Sequence, residues 1–253
     1  MKKIAILLCF IALFINKSHS QSACTNSDFS AGNFTDWTGS YGENDGTTTG
    51  LGYTVKVSSI TAGPVNSAPS ASGPYFQTIM NTPGTDPNTG GALSVIPPGG
   101  TSSCRLGSEL VEACDNISYP QASQLEYSIP VTASNCVFTY QYAVVLQNPN
   151  HTASERPRFT IYILNAAGTQ IGGTCGEYVV TSGSGLPGFT SCLPESSACE
   201  SDSVEWKQWT TVGVDLSGYI GNTVKIQFTA FDCTPGGHFG YAYISCFCGK
   251  LKC

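Results

Sequence analysis

The chain has 253 residues, with 11 Lys and Arg against 17 Asp and Glu, a formal net charge of −6, and only 11% charged residues. That balance leaves no basic field to hold nucleic acid or an anionic membrane surface. A hydrophobic content of 41% and an aromatic content of 11% argue against disorder and for one chain that buries a core.

Taken in order, Met1-Lys2-Lys3, the apolar run Ile4 to Ile15 and the small-residue ending Ser18-His19-Ser20 have the three parts of a secretory signal peptide. Residues 1–20 are therefore expected to be removed and the product exported, secreted or held at the cell surface. No later stretch has the length a transmembrane helix needs. Of the 12 cysteines, Cys9 leaves with the leader, so an odd number remains. In an exported chain these read as a disulfide framework, with one thiol left to pair with a further module or a second chain. Zinc is the competing reading, but the only close pair is Cys246-Phe247-Cys248, and paired CxxC knuckles are absent.

Residues 41–100 are dominated by Gly, Thr, Ser, Asn and Pro, as in GENDGTTTGLG and NTPGTDPNTGGALSVIPPGG. They read as long surface loops carrying short strands at Tyr53 to Val57 and Tyr75 to Met80, and loops of this length are often functional. The second half alternates with period two. Leu125, Tyr127, Ile129 and Val131 form one apolar set, and Phe138, Tyr140, Tyr142, Val144 and Leu146 a second. Phe159, Ile161 and Ile163 follow, then Val212, Val214 and Leu216, then Val224, Ile226, Phe228 and Ala230. Polar turns such as Asn148-Pro149-Asn150 and Gly221-Asn222 separate these runs, and no amphipathic helix interrupts them. The pattern predicts an all-β chain in which two antiparallel sheets pack face to face. Residues 21–248 form one sandwich domain in this reading, with 249–253 a tail or the start of another module.

The segment WTTVGVDLSGYIGNTVKIQFTAFDC, Trp209 to Cys233, followed by GGHFGYAYIS, resembles the closing strands of galactose-binding-like jelly rolls, including carbohydrate-binding modules. DFSAGNFTDWTGSYG, with Asp28-Phe29-Ser30, Gly32 and Trp37, looks like their opening strand and loop. The combination of RLGSE, VVLQNPNHTASERPRF, WTTVGVDLSGYIG and DCTPGGHFGYAYI is similar to a module near the N-terminus of large secreted or surface proteins of Bacteroidota, often ahead of PKD-type repeats. The resemblance implies a jelly-roll sandwich and, in many relatives, a structural calcium ion between the opening loop and the last strand. Asp28 is the matching acid; Ser245 stands where many relatives carry another. The family lends no secure activity, since fold and function travel separately.

Two stretches draw attention as sites. In DCTPGGHFGYAYISC, Asp232 to Cys246, a Cys233–Cys246 bridge would tie a loop to the far end of the last strand, with Phe239, Tyr241 and Tyr243 as one strand face and His238 at its start. Alternatively this loop meets NPNHTASERPRF, so that His151, Glu155, Asp232 and His238 converge on a transition metal, or Arg158 pairs with Glu155 or Asp232. Sugar binding needs an exposed aromatic face with polar groups around it. Trp37 and Trp209 read as core, which leaves the loop tyrosines Tyr41, Tyr53 and Tyr75 as platforms. No GxSxG elbow or HExxH helix is present. The expectation is an exported, non-catalytic binding or adhesion module for a glycan. The alternatives are a polysaccharide-active hydrolase or lyase, or a structural spacer of a larger adhesin.

Overall fold

The computed structural model describes residues 24–47, 52–71, 76–115, 118–183, 185–193 and 202–249. Tyr75, Cys199, Cys253 and residues 1–20, expected to be a leader, lie outside them.

Two six-stranded sheets make up the molecule. The first runs in the order β2 (Tyr53–Val57), β1 (Trp37–Asn44), β5 (Gln121–Pro130), β11 (Thr223–Phe231), β7 (Arg158–Asn165) and β8 (Glu177–Thr181). The second runs β3 (Gln77–Met80), β4 (Ser103–Leu106), β12 (Gly240–Gly249), β6 (Val137–Gln147), β10 (Val204–Asp215) and β9 (Phe189–Cys192). Every strand pairing is antiparallel. From β4 to β7 the chain changes sheet at each step, and it does so again from β10 to β12. The result is the expected sandwich of jelly-roll type, and no helix among the described residues is long and apolar enough to cross a membrane.

The period-two sets meet in the middle. Leu125, Tyr127 and Ile129 of β5, Phe159 and Ile161 of β7 and Ile226 and Phe228 of β11 face Phe138, Tyr142 and Val144 of β6 and Ala242 and Ile244 of β12. Trp37 joins this core, stacked on Phe29 at 4.5 Å, with its indole N–H donating to the Asn26 carbonyl at 3.0 Å.

A second apolar layer lies on the outer face of the second sheet, where Ala143, Val145, Trp206, Phe239, Tyr241 and Tyr243 are covered by Leu93, Val95 and Ile96. The segment read as surface loop thus forms a roof. Its apolar residues are few, but they fall together in ALSVI, and a strand face with two tyrosines needs cover. Both phenols donate to Asp86 Oδ2 in the roof, Tyr241 at 2.8 Å and Tyr243 at 2.7 Å. Arg105 of β4 is fully buried in the same layer and donates to the Gly107 and Ser67 carbonyls and the Thr78 hydroxyl.

Trp209 departs from its expected place. The ladder between β10 and β6 shifts register between Lys207 and Thr210. This bulge lets Trp206 and Trp209 both face the roof, where the Trp209 indole donates to the Ser94 carbonyl at 2.7 Å.

The cysteines also depart from expectation. Cys24 is bridged to Cys248, joining the start of the described chain to the last strand across 224 residues. Cys104, Cys136, Cys175, Cys192, Cys233 and Cys246 carry free thiols. Cys233 and Cys246 are not joined, because β12 runs extended between them and carries Cys246 to the level of Tyr140 while Gly240 lies beside Leu146. Cys104 and Cys246 point into the sandwich, where a thiol packs as a small apolar group.

Two consequences are measurable. In the chain-entropy model a loop of this length stabilises by about 5 kcal/mol. Cys24→Ser with Cys248→Ser should lower the unfolding free energy by roughly 3–5 kcal/mol in urea titrations, with the sandwich signal in circular dichroism retained. The second concerns Asp86, which burial pushes up to about 6 against the downward pull of Tyr243, Tyr241 and the Arg105 charge. The folded state then holds a proton that the unfolded chain gives up near pH 4. Stability from this group is fully present below that pH and falls by roughly 3 kcal/mol as pH rises to about 6. Asp86→Asn should flatten that part of the stability profile relative to wild type.

Candidate functional site

Two crossovers between the sheets meet at one end of the sandwich. Residues 148–157 carry the chain from β6 to β7, and 232–239 carry it from β11 to β12. A main-chain bond from Thr234 N to Glu155 O at 2.9 Å ties them together, and one from Cys233 N to His238 O at 2.9 Å closes the second crossover on itself. His151 and His238 do come together, ring centroids 4.9 Å apart and edge to face. The third member of the cluster is Cys233, whose Sγ lies 3.3 Å from His238 Nδ1 and accepts the Gly237 N–H at 3.3 Å. On its far side, His238 Nε2 lies 2.8 Å from Asp202 Oδ2. Ligand atoms of His151, Cys233 and His238 all lie within 4.8 Å of one another.

The charge states follow from the surroundings. Burial lowers the His238 pKa, opposed by Asp202 and reinforced by His151. A neutral His238 donates from Nε2 to the Asp202 carboxylate, which leaves the Nδ1 lone pair facing Cys233. Burial pushes the Cys233 thiol up to about 11, so it keeps its proton and donates it to that lone pair. His151 Nδ1 is buried with no hydrogen-bond partner.

The other residues expected here do different work. Asp232 is buried; its carboxylate accepts the main-chain N–H of Gly240 at 3.0 Å and of Gln121 at 3.2 Å, clamping the start of β12 to the start of β5. Glu155 folds back on its own loop, accepting the Thr152 N–H at 3.0 Å and hydroxyl at 2.7 Å, bonds that hold its carboxyl below its ordinary pKa. Arg158 makes no ion pair with either acid. Its guanidinium lies 3.9 Å over the Phe231 ring and donates to the Thr47 and Gly52 carbonyls and to Asn44 Oδ1, fixing the loop after β1.

The tyrosine platforms are packed rather than open. Tyr41 stacks on Phe76 at 3.8 Å. Tyr53 is buried beside Phe231, and its hydroxyl is 2.6 Å from Ser40 Oγ. In the opening loop, Asp28 Oδ1 accepts the Ser30 N–H and hydroxyl. The neighbouring oxygens converge on an amide: Asn26 Nδ2 donates to Asn33 O at 2.9 Å and Thr35 O at 3.0 Å. Calcium takes six to eight oxygens; around Asp28 the Asn33 and Thr35 carbonyls accept from Asn26.

A different surface has the chemistry expected of the tyrosines. The inner faces of both sheets pack together and the second sheet is roofed, whereas the outer face of the first sheet carries polar side chains, with Thr38 and Glu177 exposed and Gln124, Gln227, Thr229 and Thr160 buried among their neighbours. Strand register aligns Thr38, Glu126, Gln227, Tyr162 and Glu177 in one row across five strands. Ser40, Gln124, Thr229 and Thr160 form the row beside it. Lys225 Nζ lies 3.0 Å from Glu126 Oε1, and Gln227 Nε2 donates toward Glu126 Oε2 at 3.4 Å. At the β1–β5 side of this face lies a cavity of about 190 Å³ lined by Thr38, Ser40, Val55, Ser58, Gln124 and Glu126. Gln124 Nε2 is buried there without a hydrogen-bond partner. Residue spacing cannot reveal these rows; the polar alternates Gln124, Glu126, Gln227 and Thr229 were visible in the sequence only as the outward half of two strands.

No family model matches the sequence, and no curated protein matches it. Solved structures similar in the course of the chain include the carbohydrate-binding module TmCBM61, solved with β-1,4-galactotriose, at 8% identity and a TM-score of 0.43, covering 92% of this chain and 100% of that one. The enzymatically active domain of tailspike protein 4 from bacteriophage CBA120 is similar over 90% of this chain, at 12% identity and a TM-score of 0.37, and this chain spans about a fifth (21%) of it. The adhesin domain of Lys-gingipain from Porphyromonas gingivalis is similar over 74% of this chain and 97% of its own, at 11% identity and a TM-score of 0.32. Likeness at this level concerns the β-sandwich fold alone.

Proposed function

We propose that this is an exported, non-catalytic module that binds a glycan across the outer face of the first sheet. The single observation that carries the reading is the cavity beside the Thr38–Glu126–Gln227–Tyr162 row, where a buried amide N–H of Gln124 lacks an acceptor. A sugar hydroxyl is both donor and acceptor. It can accept from Gln124 and donate to Glu126, while the half-buried Tyr162 ring offers an apolar face two strands away. Export is supported by the leader-like N-terminus and by the Cys24–Cys248 bridge.

The same face argues for binding rather than hydrolysis. Its acids Glu126 and Glu177 are separated by three strand spacings, or roughly 14 Å. Glycoside hydrolysis places its two carboxyl groups about 5 to 9.5 Å apart.

A glycan array followed by calorimetry on the best binder tests the reading. Gln124→Ala and Glu126→Ala should each weaken binding by about tenfold or more, the equivalent of one lost hydrogen bond to a buried group. Tyr162→Ala should weaken it by a similar factor. Binding untouched by all three substitutions would sink the assignment of this face.

A further inference from the structure

We propose that His151, Cys233 and His238 form a zinc(II) site with three protein donors, pinning together the two crossovers at one end of the sandwich. Among the described residues this is the one group of three or more His, Cys, Asp or Glu side chains with ligand atoms this close. Imidazole nitrogen and thiolate sulfur suit a borderline-soft first-row cation and do not suit calcium or magnesium. Zinc, with no geometric preference of its own, accepts three such donors and leaves one tetrahedral corner for water.

Three features outside the donor set agree with this. Metal-bound histidines commonly donate their second ring nitrogen to a carboxylate, and His238 Nε2 does so to Asp202 Oδ2 at 2.8 Å. That bond turns the Nδ1 lone pair toward Cys233 Sγ, the orientation a shared ion needs. The buried, unpartnered His151 Nδ1 shows that the third ring is not held by hydrogen bonds of its own at that atom. On binding, zinc replaces the thiol proton of Cys233, which leaves to solvent, and the Gly237 N–H already directed at the sulfur stays to stabilise the thiolate.

The arrangement Cys233–His238–Asp202 also has the connectivity of a thiol nucleophile with its base and orienting acid. Two facts speak against that use. Cys233 is 0% exposed, so no substrate carbonyl reaches its sulfur, and the nucleophile reading gives His151 nothing to do.

The test uses the full chain, reduced and stripped of metal by a chelator, then titrated with Zn²⁺ against a chromophoric competitor and, separately, with Co²⁺. The expected result is one tight Zn²⁺ equivalent and a thiolate-to-Co²⁺ charge-transfer band. Cys233→Ser should abolish both, and Cys192→Ser neither. His151→Ala, a half-buried loop change that leaves the strands alone, should cut affinity at least tenfold. Asp202→Asn should cut it about 10–100-fold by loosening His238. A Co²⁺ spectrum without the band, or unchanged Zn²⁺ affinity in both Cys233→Ser and His151→Ala, overturns the proposal. So does binding of Cu⁺ but not Zn²⁺ at these residues, or fast alkylation of Cys233 in the native chain that Zn²⁺ does not slow.

Discussion

β12 is buried on both faces, and the molecule is arranged around that fact. Ala242 and Ile244 fill the space between the sheets, while Tyr241 and Tyr243, both 0% exposed, point the other way into a second apolar layer. A buried phenol without an acceptor costs about 1–3 kcal/mol. One carboxylate oxygen of Asp86 serves both hydroxyls, so the roof must be in place for the strand to be satisfied. The roof is held in return by the Trp209 indole on Ser94 O and the Ser103 hydroxyl on Val95 O. What composition presents as surface loop is a third layer of the fold. It covers the outer face of the second sheet with apolar side chains, whereas the outer face of the first carries polar ones.

The sandwich was readable because half-buried strands write their geometry into every second residue. The sets from β5, β6, β7 and β11 enter the core as the alternation predicts, Leu125 and Tyr127 against Phe138 and Phe228 against Tyr140. What failed to read was anything that breaks the period or depends on a partner far along the chain. Trp209 is displaced by a bulge, which no local pattern announces. Leu93, Val95 and Ile96 are apolar islands among glycines and prolines, and only Tyr241 and Tyr243, more than a hundred positions later, explain their burial. Cysteine number does not give pairing. Direction along β12 decides that Cys248 reaches Cys24, while Cys246, two residues earlier on the same face, ends as a free thiol in the core.

The site residues show the same division. That His151 and His238 sit in loops at the same end follows from where the strands stop, and they meet. The acids near them were misassigned because a carboxylate at a strand end has a nearer duty than a ligand. Asp232 pairs with main-chain N–H groups that have no ladder partner where two sheets diverge, and Glu155 closes the turn that Thr152 opens. Arg158 likewise donates to carbonyls of a neighbouring loop, with Phe231 beneath it. Tyr41 and Tyr53 look like platforms in a loop-rich stretch, but each ring finds another ring: Tyr41 on Phe76, and Tyr53 beside Phe231.

The two proposed sites share the strands β7 and β11 without sharing side chains. Along β11, Gln227 and Thr229 belong to the polar face, Phe231 carries Arg158, Asp232 clamps β12 to β5, and Cys233 meets the histidines. Passing from the middle of the strand to its end, the chemistry changes from polar contacts that face outward to ones that lock crossovers in place. An ion at the end would therefore reduce fraying of β7 and β11 rather than touch a sugar. Glycan affinity at Gln124 and Glu126 would respond to it only as far as strand register responds, since register alone sets the row that those side chains form.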